Sequence, residues 1–193
     1  MDDFNRDSAY PDHPEPEWES APPVGDSHLL IALFPDAAVQ AAIEAHRKDW
    51  LWPAGRHFPR GPRMHLTLHC FGDQTQPVEK RLRDALARVP VQPMELMLDH
   101  SRTWNNHIAV VQPAEHPGLR ALYKHISHAV QQAGILTDTP KFTPHITIAR
   151  KATGAAYPMH MLPIPWRVKK FLLVRSFTGA SFRHEVLASY EAN

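Results

Sequence analysis

The chain has 193 residues, of which 43% are hydrophobic, enough for one domain or two small lobes around a real core. No apolar run approaches the ~20 residues of a membrane span, the acidic N-terminus is unlike a signal sequence, and a single cysteine, Cys70, excludes an internal disulfide and a cysteine-cluster metal site. The net charge of +1 conceals an imbalance: residues 1–26 carry eight acids and one base, and the remainder carries 20 bases and 12 acids. That moderately basic body suits an anionic partner, although the same excess also fits an ordinary soluble surface.

Residues 1–26 hold five of the 19 prolines, many acids and few aliphatics. Such a composition cannot bury enough to order itself, and a disordered tail is expected there, with the folded domain over 27–193. Residues 28–34 form a short apolar run, read as a buried strand that Pro35-Asp36 ends. Residues 36–49 suit a helix with Val39, Ala42, Ile43 and His46 along one side. Residues 51–63, rich in Trp, Pro, Gly and Arg, read as a loop, followed by a strand over 64–71 that stops at Gly72-Asp73. Thr75 as N-cap and Pro77 in the first turn open a second helix, whose buried face is Val78, Leu82, Leu86 and Val89. Strands are expected at 94–99 and 107–112. A third helix begins near Pro117, buries Leu119, Leu122, Ile126 and Val130, and stops at Gly134. A strand over 144–150, a Pro-rich connector over 152–165, and a hairpin of 168–175 with 183–190 complete the chain.

Two of these strands carry nearly the same text. His65-Leu66-Thr67-Leu68 recurs 80 positions later as His145-Ile146-Thr147-Ile148. Side chains alternate faces along a strand, so His65 shares a face with Thr67, and His145 with Thr147, while the aliphatics enter the core. Strand–helix–strand ending in His-x-Thr-x occurs over 28–70 and again over 107–150, the pattern of an internal duplication. The expected fold is α+β: two pseudo-symmetric lobes, each an antiparallel sheet with helices on its outer face, and an active-site cleft between them. Two imidazoles and two hydroxyls around one anion are an apparatus for acid–base chemistry on a phosphate, with no metal or cofactor required. Imidazole titrates near neutral pH, so one histidine can serve as base and the other as acid. The hydroxyls can donate to non-bridging oxygens where charge accumulates. His69 and Phe71 fall on the motif face of a regular strand and are candidates to line the cleft; core packing is the other reading of both. Arg150 sits at an odd offset from His145 and points away unless the strand twists, bulges or ends. The spacing of His125 and His128 on the third helix could hold a metal, but without a carboxylate partner they read as a solvated face. The five tryptophans show no usable stacking pattern.

Met64-His65-Leu66-Thr67-Leu68 with Gly72-Asp73, and Phe142-Thr143-Pro144-His145-Ile146-Thr147-Ile148-Ala149-Arg150, resemble the two-histidine phosphoesterases. They most resemble the RNA 2',3'-cyclic phosphodiesterases, also called 2'-5' RNA ligases. Asn106-His107-Ile108-Ala109-Val110-Val111, the Gly134 helix exit and the closing Trp166-Arg167-Val168 strand are similar too. The likeness covers about 28–190. It departs at His69-Cys70-Phe71-Gly72, where the family usually ends in Phe-Leu-Gly. The resemblance implies hydrolysis of an RNA-terminal 2',3'-cyclic phosphate to a 2'-phosphate, with 2'-5' ligation as the reverse reaction and tRNA fragments among the RNA partners. It makes His65 the general acid on the 3' oxygen, His145 the base that activates water, and Arg150 a phosphate contact alongside Thr67 and Thr147. The bulk properties read as a soluble, cytoplasmic protein with no membrane partner, and a monomer is expected. The alternatives are a sister enzyme acting on a small nucleotide such as ADP-ribose cyclic phosphate, an RNA-end binding module with vestigial catalysis, and a metal-binding protein.

Overall fold

The computed structural model describes residues 27–137, 141–177 and 183–192; the tail expected over 1–26 lies outside them. Eight strands form one sheet: β1 (Ser27–Leu33), β2 (Leu66–Gly72), β3 (Met94–Trp104), β4 (Ile108–Pro113), β5 (Ile146–Ala149), β6 (Ile164–Val168), β7 (Lys170–Phe177) and β8 (Arg183–Glu191). Three helices accompany them: α1 (Ala37–His46), α2 (Gln76–Leu86) and α3 (Pro117–Gln132). The strand order is β6-β3-β4-β5-β2-β1-β7-β8, and every neighbouring pair is antiparallel.

The duplication is visible in that order. Outward from the centre, one half runs β2-β1-β7-β8 and the other β5-β4-β3-β6. The motif strands β2 and β5 are therefore equivalent, and so are β1 and β4. The two halves are continuous as one curled sheet, joined at the pair Leu66↔Ile146. The linking helices cross over. Helix α1, between β1 and β2, packs against β6 of the other half, while α3, between β4 and β5, packs against β2 and α2.

Local sequence explains the helix ends. Asp36 caps α1 by accepting from the Val39 N–H at 2.9 Å. Thr75 stands at the N-cap of α2 but its hydroxyl makes no capping bond. The ring of His116 caps α3, its Nδ1 accepting from the N–H groups of Gly118 and Leu119 at 3.1 and 3.4 Å. Gly134, at φ +86°, ends α3, and the Ile135 N–H returns to the Val130 carbonyl at 3.3 Å.

Two strands differ from expectation. β3 continues past residue 99 to Trp104, because an irregularity between Leu98 and His100 breaks the alternation that the sequence pattern relies on. β6 lies partly in the expected connector. Pro165 reads as a strand breaker, yet β6 is an edge strand with only β3 beside it, and an edge position does not need every N–H.

The main core lies between the helices and the outer face of the sheet. It includes Leu29, Ile31, Leu33, Leu66, Leu68, Ile146, Ile148, Leu119, Ile126 and Trp166. Leu66 is fully buried at the seam. Leu66→Ala should lower unfolding free energy by about 2–5 kcal/mol, readable as a drop in the urea midpoint at unchanged slope. A loss below about 1 kcal/mol would mean that the seam collapses around the cavity and contributes little.

Candidate active site

The seam assembles the motifs. Leu66 pairs antiparallel with Ile146, and one further step along that register in either direction sets His65 beside Thr147 and Thr67 beside His145. All four side chains lie opposite the core-facing Leu66 and Ile146, on the inner face of the curled sheet. Thr67 and His145 are buried, at 7% and 3% exposure, while His65 and Thr147 are half-buried.

Each histidine is oriented in the same way. His65 Nδ1 lies 2.7 Å from the carbonyl oxygen of Arg63, and His145 Nδ1 lies 2.9 Å from that of Thr143. A carbonyl only accepts, so Nδ1 carries the proton in both rings and Nε2 is the nitrogen that can exchange a proton with a substrate. Each ring is also braced by an aromatic side chain. Trp104 meets His145 edge-on at 4.2 Å between centroids, and Phe34 lies 5.4 Å from His65.

A β-bulge follows each motif at the same place. On β2 the pairing with β1 steps from Thr67↔Ala32 to His69↔Ile31, leaving Leu68 as the extra residue. On β5 the pairing with β4 steps from Thr147↔Val110 to Ala149↔Ala109, leaving Ile148 extra. A bulge reverses the alternation beyond it. Three expectations turn on this reversal. Ala149 now faces the core with Ala109, so Arg150 falls on the inner face with His145 and Thr147. His69 and Phe71 move the other way. His69 is opposite Ile31 on the helix side, where its Nε2 is 2.9 Å from Ser127 Oγ and its ring stacks on Tyr123 at 4.9 Å. Phe71 packs against the main core. Neither lines the cleft. Cys70 takes the position equivalent to Arg150 and packs with Leu30, Ala32 and Val174 on the inner face. Burial pushes its thiol up to about 12.

Several further side chains lie on this face, beyond those the sequence pattern marks. Arg102 and Trp104 project from the part of β3 that was not expected to be strand; Arg102 stands opposite Val110, in the row of Thr147. His184 on β8 lies 5.6 Å from His65 and 5.7 Å from Phe34 between ring centroids. Burial, with smaller contributions from His65, His28 and Arg63, holds His184 down at about 4. The alternation Arg102-x-Trp104 was a usable signal; for His184 there was none, because its face depends on the β7–β8 register. His125 and His128 are exposed on α3.

His69 is uncharged for the same reason as His184: burial lowers it from 6.5 to about 4. Unfolded, it binds a proton as pH falls through 6.5; folded, only near 4. The unfolded state therefore holds more protons in that window, and stability falls as pH drops from 6.5 to about 4, by up to about 3 kcal/mol for this group. His69→Phe keeps a ring against Tyr123 and should flatten part of that slope in pH-dependent unfolding, His184 supplying the rest. A slope unchanged by the substitution would assign it elsewhere.

A half-barrel sheet with paired His-x-Thr strands at its centre is the architecture of the two-histidine phosphoesterases. A model of the 2'-5' RNA ligase superfamily matches residues 28–179, and the chain belongs to that superfamily. The chain is 27% identical over 104 residues to RNA 2',3'-cyclic phosphodiesterase of Bacillus subtilis strain 168, a match covering 50% of this chain and 57% of that relative. The chain thus spans little more than half the length of that curated relative. In fold it is similar to Escherichia coli LigT complexed with 3'-AMP (TM-score 0.76, 23% identity, 86% of this chain and 98% of that one). It is also similar to a protein of Thermus thermophilus (TM-score 0.64, 26% identity, 85% of this chain and 97% of that one). Among the described residues no helix is long and apolar enough to cross a membrane.

Proposed function

We propose that this protein hydrolyses the 2',3'-cyclic phosphate at an RNA 3' end to a 2'-phosphate by paired-histidine acid–base catalysis. The observation that carries this reading is the seam register, which sets each motif's histidine beside the other motif's threonine on one face. The Bacillus relative's activity and the 3'-AMP bound to LigT point to the same substrate class. His145, with its proton on Nδ1, offers Nε2 to take a proton from water as the water oxygen attacks phosphorus. The bond from phosphorus to the 3' oxygen breaks, and His65 delivers a proton from Nε2 to that oxygen. Thr67 and Thr147 donate to the non-bridging oxygens, where negative charge grows, and Arg150 balances that charge. With a 5' hydroxyl in place of water, the same displacement would release the 3' oxygen and form a 2'-5' linkage.

The direct test is a short RNA ending in 2',3'-cyclic phosphate, incubated with the protein in excess EDTA and resolved for 2'- and 3'-phosphate ends. The expected product is the 2'-phosphate. A 3'-phosphate would reverse the roles of the two ribose oxygens. No turnover of this RNA alongside turnover of ADP-ribose cyclic phosphate would move the substrate to a small nucleotide.

A further inference from the structure

The 12 acidic residues of 27–193 avoid two stretches of sequence. Residues 50–72 and 139–184 contain none, and together hold 11 lysines and arginines. Each stretch includes one motif, and the fold joins them a second time beyond the site. His57 pairs with Arg150 through bonds of 2.8 and 2.9 Å, and Leu51 pairs with Ala156 through two bonds of 3.0 Å. Both pairs fall on one antiparallel register, and between these two isolated bridges each segment turns, at Gly55 and at Gly154, so together they make an irregular ribbon. It starts at Arg150, just past the end of β5, and extends at most about 20 Å further, at ~3.3 Å per residue.

The ribbon's surface mixes cations with aromatic rings. Arg56, His57 and Lys151 are exposed. Half-buried Trp52 stacks on Trp50 at 4.7 Å, and Tyr157, 48% exposed, lies 5.8 Å from Trp50. Two acids flank the ribbon: Glu44, which acts on Arg47, and Asp49, exposed and 3.8 Å from His46. Cations that follow a phosphate backbone, alternating with flat rings on which bases stack, are what a single nucleic-acid strand requires. A small cyclic nucleotide would end at the site and use none of this surface.

We infer that the ribbon of residues 51–57 and 150–156 binds the RNA strand on the 5' side of the terminal phosphate; the inference rests on reading the site as an RNA-end phosphodiesterase. Binding of a fluorescent RNA of about 12 nucleotides ending in 2'-phosphate would be compared with competition by the mononucleotide 2'-phosphate. The long RNA should bind the wild type at least about tenfold more tightly. The double variant Arg56→Ala/Lys151→Ala should lose most of that advantage. Its slope of log affinity against log salt should flatten by about 1.4, two phosphate contacts at about 0.7 each. The charge-matched pair Lys80→Ala/Arg88→Ala on the α2 side should keep the advantage. No length advantage in the wild type, or an equal loss in both double variants, overturns the inference. Hydrolysis of the same RNA ending in 2',3'-cyclic phosphate by the wild type, measured in parallel, separates the two readings. Turnover without a length advantage removes the ribbon alone. A length advantage without turnover supports the ribbon as an RNA surface and removes the catalytic reading.

Discussion

Alanine at His145 should lower hydrolysis of the cyclic phosphate by about 10²–10⁴-fold, and alanine at His65 by a similar factor, because each substitution removes one proton transfer. The double variant should lose far less than the product of the two, since a single missing proton transfer already stalls the displacement. Thermal unfolding of each variant separates chemistry from folding. His145 is 3% exposed against Trp104, so His145→Gln, which fills more of the space, is the better control there. The two rings differ in surroundings despite their shared orientation: His145 is buried against an indole, while half-buried His65 has Phe34 and His184 beside it. With one ring as base and the other as acid, the pH–rate profile should be bell-shaped. If His145 is the base and His65 the acid, His145→Gln abolishes the acidic limb of the residual activity and His65→Gln the alkaline one. Turnover untouched by either substitution would sink the two-histidine mechanism.

What could be read in advance was whatever repeats with a fixed period. The two His-x-Thr-x texts, the strand–helix–strand order around them and the buried stripes of α2 and α3 follow from alternation and helical spacing. The structure joins the motifs as those patterns require, at Leu66↔Ile146. What escaped was phase. One extra residue after each motif, Leu68 and Ile148, reverses the alternation. That reversal sends His69 and Phe71 to the helix side and puts Arg150 on the same face of the sheet as His145 and Thr147. Nothing in the text Thr67-Leu68-His69 marks a bulge; it is set by pairing with β1, a partner distant in sequence. The same holds for His184, placed by the β7–β8 pairing, and for Trp104, hidden behind the irregularity at Leu98 and His100. β6 escaped because Pro165 is tolerated only where an N–H need not be donated, and edge position is a tertiary property.

The pseudo-twofold relation makes the two threonines equivalent in backbone, and the residues three positions on make them unequal in charge. Arg150 follows Thr147, and Cys70 follows Thr67. The Cys70 thiol, pushed up to about 12 by burial, is neutral at working pH, and it packs with Leu30, Ala32 and Val174. On the proposed reading, phosphate oxygens on the β5 side would meet a hydroxyl and a guanidinium, while those on the β2 side would meet the Thr67 hydroxyl beside an apolar wall. In such surroundings the hydroxyl is the principal donor left, and its loss is not masked by a neighbouring cation. Thr67→Val, which keeps the shape and removes the donor, should lower kcat by about 10²–10³-fold, the range for a single donor to a developing oxyanion. Thr147→Val should cost less, because Arg150 continues to neutralise the same oxygens, and Thr147→Val/Arg150→Met should then fall to the level of Thr67→Val or below it. Thr→Ser at either position retains the hydroxyl and should recover most of the rate. The opposite ranking, with Thr147→Val the more damaging, would mean that the arginine does not share the oxygens with Thr147. The charge on the transferring phosphate would then have to be met from the β2 half, by Thr67 and the Arg63 end of the strand.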